Sequence, residues 1–124
     1  MLSVYLGIFG LLGVFSRYYI GKVFQKYTDY TFPIDILTIN ILGAFLIGVI
    51  YSLSFEKYQF SSELKTGIMI GFLGGFTTFS SYCLDTFKLM SAGKFLQAFL
   101  YFTVSPILGL VLTFLGIYVT KKFF

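Results

Sequence analysis

The sequence contains no histidine and no tryptophan, a single cysteine (Cys83), and few charges, at 11% of residues. Each shortage removes a class of chemistry. Without histidine there is no Ser-His-Asp or Cys-His device and no ordinary proton relay near neutral pH. One cysteine permits neither an internal disulfide nor a multi-cysteine metal site. The acids are Asp29, Asp35, Glu56, Glu63 and Asp85, and all but Asp85 lie in or beside polar connections. Hydrolysis by paired carboxylates within an apolar segment therefore has no pair to use. These absences together argue against an enzyme. A soluble domain carries roughly 25% charge, so this chain has too little to cover a water-facing surface.

What is present is apolar. Hydrophobic residues make up 57% and aromatic residues 22% of the 124-residue chain, with a mean hydropathy of +0.88. Residues 2–24 are apolar up to Arg17 and Lys22, and residues 36–55, 66–84 and 95–120 carry no charge. A helix needs about 20 apolar residues to cross the hydrocarbon core. The reading is an all-α integral membrane protein, one membrane domain over residues 1–124, with helices near 2–24, 34–55, 64–90 and 94–120. The first run has no basic segment before it and no small-residue cleavage site after it, so it reads as a span rather than a cleavable signal. The connections "QKYTDYTFP", "EKYQFSSELK" and "SAGK" leave no room for a soluble domain.

The basic residues barely distinguish the two faces of the membrane. Four spans put Lys57, Lys65, Lys121 and Lys122 on one side and Arg17, Lys22, Lys26, Lys88 and Lys94 on the other, four against five. Orientation is set by a Lys/Arg asymmetry, and here there is almost none. A chain inserting both ways up can pair with a second copy about a twofold axis in the membrane plane, as inverted repeats do within one chain. The net charge of +4 flanks helices without clustering, which points to lipid headgroups and not to nucleic acid.

Small residues recur at helical spacing and imply close helix contacts. Gly10, Gly13, Arg17 and Gly21 share a face of the first span; Asn40, Gly43, Ala44 and Gly48 share one in the second; Ser105, Gly109, Thr113 and Gly116 share one in the fourth, where Pro106 marks a kink. Asn40, inside its uncharged run, is either an interhelical hydrogen-bonding group or an amide donor facing a pore. Arg17 reads first as a snorkelling or structurally paired side chain near a helix end, and second as vestibule charge.

The least helical stretch is "GFLGGFTTFSSY", residues 71–82. Gly71, Gly74 and Gly75 each weaken a helix by roughly 1 kcal/mol relative to alanine. Thr77, Thr78, Ser80 and Ser81 supply hydroxyls that could replace lost backbone partners. Irregular backbone at membrane depth survives only where it is buried in protein or lines a wet cavity. Such a break frees carbonyls for a hard cation and amides for an anion. Phe79 and Tyr82 follow three apart, either as lipid-facing rings or as electropositive ring edges for a weak anion contact.

At these residues the chain resembles the Fluc/CrcB fluoride channels. The likeness rests on "GFLGGFTTFSSY", "TINILGAFLIG" at 38–48, "GVFSRY" at 13–18 and four spans in a short chain, and it covers essentially the whole sequence. It implies a third helix broken at the motif and two subunits in opposite orientations, with one structural sodium ion at their centre, held by the backbone carbonyls of Gly74 and Thr77. It also implies two fluoride pores per dimer, with Asn40, Phe79, Ser80, Ser81, Tyr82 and Thr113 in pore positions, in the plasma membrane of a bacterium. Two positions depart from the family pattern: Tyr82 stands where a second phenylalanine is expected, and Gly109 where a serine often is. These departures leave a homologous partner subunit as the alternative to a second identical copy. A four-helix proton-coupled drug exporter would need a carboxylate in the first span, which has none; an assembly protein without transport would not explain the glycine break.

The balanced charge generates a direct expectation. A label at the C-terminus will be found on both faces of the membrane in cells, and two or three lysines added after Lys122 will bias insertion toward one orientation. A terminus found on one face only would instead require a partner of fixed topology.

Overall fold

The computed structural model describes residues 1–29 and 31–124. Helix α1 runs Leu2–Tyr27 and α2 runs Ile34–Tyr51, extended by a wide π-helical segment Ser52–Lys57. The third span is composite: α3 (Ser62–Thr66), a π-helical segment Gly67–Phe72, α4 (Leu73–Phe76) and α5 (Phe79–Ser91). Helix α6 runs Phe95–Phe123. No strand occurs among the described residues. The four spans are long and apolar enough to cross a membrane: Leu2–Tyr27, Ile34–Lys57, Ser62–Ser91 and Phe95–Phe123. The protein is a multi-pass membrane protein.

The helices outrun their apolar stretches because polar residues at the ends form caps and ion pairs. Ser61 caps α3 by accepting from the Leu64 N–H at 3.2 Å. The ends of α2 and α6 meet where Lys121 lies 3.3 Å from Glu56 and Lys57 donates to the Lys121 carbonyl at 3.4 Å. Between α5 and α6 the chain turns through Gly93, whose φ of +75° is open to glycine without strain.

Two seams of small residues hold the spans together. At Gly13, a Cβ would collide with the Phe72 carbonyl, and at Gly75 with the carbonyl of Gly10, so α1 lies directly on the first half of the third span. At Gly48 a Cβ would strike the backbone of Thr113, and at Gly116 that of Phe45, so α2 and α6 meet backbone to backbone. Thr113 reinforces this crossing, its hydroxyl lying 2.8 Å from the Ala44 carbonyl and 3.0 Å from its own helix's Gly109 carbonyl. A smaller core of Tyr82, Leu89, Ala98 and Tyr101 ties α5 to α6, with Phe32, Ile36 and Leu37 against it.

The break in the third span is narrower than its composition suggests. Gly71, Gly74 and Gly75 all remain helical, and the chain leaves the helix only at Thr77 (ψ 158°) and Thr78 (φ −148°, ψ 118°). The reason is visible at the seam: Gly71 and Gly75 are small because α1 lies against them, not because the backbone must unwind there. Helix α6 carries Pro106 in its interior.

Gly48→Ala and Gly116→Ala should each destabilise the protein by about 1–3 kcal/mol, because the added methyl meets main chain that cannot yield without separating the helices. Gly7→Ala, with no atom within 4 Å of the new methyl, should be neutral or stabilising. Unfolding in detergent measures all three, and equal effects would contradict the seam.

Candidate functional site

The break is held by one side chain. Asn40 of α2 donates from Nδ2 to the Thr78 carbonyl at 3.0 Å and accepts at Oδ1 from the Thr78 N–H at 2.8 Å. A primary amide is a copy of a peptide group, so it pairs with an unwound residue as a neighbouring strand would. The Thr78 N–H, which has no helical acceptor at the interruption, is thereby paired, and the Thr78 carbonyl gains a second donor.

Thr78 restarts the helix. Its side chain accepts from the Ser81 N–H at 3.2 Å as the N-cap of α5, and its hydroxyl donates to the Ser81 hydroxyl at 3.2 Å. The Ser80 hydroxyl lies 3.3 Å from the same oxygen. Thr77 ends the preceding helix: both its N–H, at 3.0 Å, and its hydroxyl, at 2.8 Å, donate to the Leu73 carbonyl.

These bonds redirect two donors. In an uninterrupted helix the Thr78 N–H would serve the Gly74 carbonyl, and the Ser81 N–H would serve that of Thr77. Here the first goes to Asn40 and the second to the Thr78 hydroxyl. The carbonyls of Gly74 and Thr77 thus lose their helical donors. Both residues border the same open groove, and a Cβ at Gly74 would meet nothing within 4 Å.

That groove, of ≈ 430 Å³, is walled by α2, the broken span and α6. It brings together Asn40, Gly74, Thr77, Phe79 and Tyr82 of the residues expected to hold ions, along with Thr78 and, from the helix-contact faces, Gly43, Ser105, Pro106 and Gly109. The Phe79 ring projects into the open at 77% exposure, whereas Tyr82 is packed at 6%. Their centroids are 5.7 Å apart with planes tilted by 40°. A second cavity of ≈ 390 Å³ lies between α1, α2 and α5, where Arg17 and Ser81 meet Gln25, Asp35, Asp85 and Lys88. Thr78, Phe79 and Tyr82 therefore face one recess and Ser81 the other. Thr113 lies outside both, with its hydroxyl at the α2–α6 crossing.

Thr78 and Gly43 were the residues least visible in the sequence as site-formers. Thr78 had a signal, a hydroxyl three residues before Ser81 at a helix start. Gly43 had only its place in a small-residue face; a Cβ there would strike the Thr77 methyl.

Asn40→Ala would strip the Thr78 N–H of its partner and leave the Thr78 carbonyl with only the first-turn bond of α5. We expect a loss of about 2 kcal/mol or more, read by unfolding in detergent, with a larger effect than Thr113→Val. Unchanged stability in N40A would show that the break is held by something else.

The chain is similar to known proteins over nearly its full length. Residues 4–117 match the family model described as CrcB-like protein, Camphor Resistance (CrcB). A protein of Parabacteroides distasonis named fluoride-specific ion channel FluC is 42% identical over 98% of this chain and 95% of its own length. One of the same name from Geotalea daltonii is 41% identical over 92% of each chain. The fluoride-specific ion channel FluC 1 of Bacillus cereus is 36% identical over 94% of this chain and 85% of its own. With the family model matched over residues 4–117 and relatives 41% and 42% identical over most of both chains, this chain belongs to the CrcB family.

Proposed function

We propose that the protein is a fluoride channel that lets the ion leave the cell passively and so lowers cytoplasmic fluoride. The observation that carries this reading is the groove at residues 77–82, where an interrupted helix, polar groups and the exposed Phe79 ring share one wall. Support comes also from relatives whose names specify fluoride. Fluoride is small and strongly hydrated, so a path for it needs donors to replace water without holding the ion too tightly. The Asn40 amide, hydroxyls of Ser80 and Ser81, and ring edges of Phe79 and Tyr82 are the candidates in and beside the groove. Arg17 supplies positive charge to the neighbouring recess. The bonds that Thr113 makes with main chain favour a supporting role for it, whereas Asn40 gives one Nδ2 hydrogen to Thr78 and has a second beside the groove.

The working unit we infer is a second copy of this chain inserted in the opposite orientation, forming two pores in a bacterial plasma membrane. The near-balance of basic residues supports it, as does the groove's exposure of Phe79 and Gly74 on the single chain. A homologous partner subunit is the alternative arrangement. A structural sodium ion fits the carbonyls of Gly74 and Thr77, which have lost their helical donors and border the same groove. Hard oxygen ligands suit such a cation. Its contribution, when bound, would be to hold two subunits together at their breaks.

Purified protein in liposomes should pass fluoride and exclude chloride; absence of flux from the protein alone would favour the partner-subunit form. Phe79→Ile keeps the site apolar but removes the ring edge, and flux should fall at least about tenfold, roughly 1.4 kcal/mol at the limiting barrier. Unchanged flux in folded F79I would remove Phe79 from the path.

The cation can be tested separately. Thr77→Ser should be mild, because it keeps both the main-chain carbonyl and the hydroxyl that bonds Leu73. Gly74→Leu should weaken subunit association and the stabilisation that sodium gives. Equal association with and without sodium in the native protein would contradict the site.

A further inference from the structure

Pro106 lies inside α6 and has no N–H, so the Phe102 carbonyl four residues earlier has no helical donor. At membrane depth such an oxygen needs a donor from elsewhere. The Tyr82 hydroxyl, arriving from α5, donates to it. The Tyr82 ring lies nearly parallel to that of Phe102, with centroids 5.8 Å apart and planes 10° from parallel. It also meets Tyr101 at 5.3 Å. Tyr82 and Pro106 both border the groove.

We propose that Tyr82 is a positioning residue for the permeation path. Its hydroxyl closes the carbonyl that Pro106 leaves open, and the bond holds its ring in the groove wall beside Phe79. Two consequences follow from the chemistry. A phenol has one hydrogen to donate, and with that hydrogen on Phe102 it is not available to an ion in the groove. An uncovered carbonyl would also place negative partial charge next to an anion path. Phenylalanine at position 82 would keep the ring contacts and lose the bond, so in this chain Tyr82 and Pro106 form a matched pair. The effect on flux rests on the fluoride reading above; the pairing itself does not.

The test is a cycle of Tyr82→Phe, Pro106→Ala and the double variant in the full-length protein. Unfolding by SDS titration in detergent micelles should show Y82F shifting the folded-to-unfolded ratio about fivefold in the presence of Pro106. With P106A a backbone N–H returns to the Phe102 carbonyl, and the same substitution should then shift the ratio by under about twofold. Fluoride efflux from liposomes should fall about threefold or more in Y82F and recover in the double variant. Equal effects of Y82F in both backgrounds would overturn the pairing. In wild-type protein alone, the isotope-edited infrared band of the Phe102 carbonyl should lie at the frequency of a hydrogen-bonded amide. A band at the free-amide frequency overturns the proposal even if no variant folds. Wild-type liposomes that pass no fluoride would count against the transport reading only, since the unfolding cycle and the infrared band need no ion.

Discussion

The pairing of the Asn40 amide with the main chain of Thr78 is the interaction on which the rest of the site depends. A membrane-spanning helix cannot simply stop, because hydrocarbon offers no water to the groups it exposes. Asn40 meets that constraint with one side chain that both donates and accepts. Its geometry then has effects beyond its own bonds. Taking the Thr78 N–H away from Gly74 leaves a carbonyl at the groove, and fixing Thr78 in extended conformation turns its hydroxyl onto the first turn of α5. One contact between α2 and the third span therefore sets the ends of two helices.

The two small-residue seams explain why that contact can be accurate. Gly13 and Gly75 bring α1 against the half-span before the break, while Gly48 and Gly116 bring α2 against α6. Gly43 lets the Thr77 methyl settle on α2 three residues from Asn40. With no hydrophobic driving force between helices in lipid, close backbone approach and short polar contacts must supply the association. The half-span after the break is tied differently, through the aromatic core of Tyr82 and Tyr101 and the bond from Tyr82 to α6. The two halves are thus anchored to different neighbours, which suits a span that changes course at Thr77.

Much of this was legible in the residues, and the misreadings have physical causes. Four spans followed from hydropathy alone, and only their ends moved, because capping and ion pairs at Ser61, Glu56 and Lys121 are not hydropathy signals. The interruption was correctly located to residues 71–82 but Gly71 and Gly75 were misread. Glycine lowers helix propensity and also permits helix contact, and composition cannot separate the two; Gly71 and Gly75 serve contact. The two π-helical segments left no mark in the sequence, since a wider turn depends on tertiary fit rather than on local preference. Asn40 was open between an interhelical bond and a pore donor, and its partner 38 residues away could not be inferred from spacing. The Tyr82 hydroxyl posed the same difficulty, since its acceptor exists only because Pro106 removes a donor on another helix.

The break also supplies what the proposed function asks of one short segment, partial charges of both signs. A helix carries partial negative charge at its C-terminal carbonyls and partial positive charge at its N-terminal amides. Helix α4 ends at Phe76 and α5 begins at Phe79, so the two poles lie on either side of a two-residue gap. On the side before the gap are the carbonyls released at Gly74 and Thr77; on the side after it are Phe79 and the hydroxyls of Ser80 and Ser81 on the first turn of α5. In a continuous helix the dipoles would run on head to tail, leaving no partial end charges at this point, and the carbonyls would be occupied. Interrupting the helix once, and filling the interruption with a neutral amide rather than a charged side chain, keeps both poles available without adding a fixed ion that would trap either sign. A charged residue at position 40 could make one of the two Thr78 bonds but not both, and it would impose its own sign on the groove. Asparagine is the residue that holds the gap open and leaves its electrostatics to the backbone.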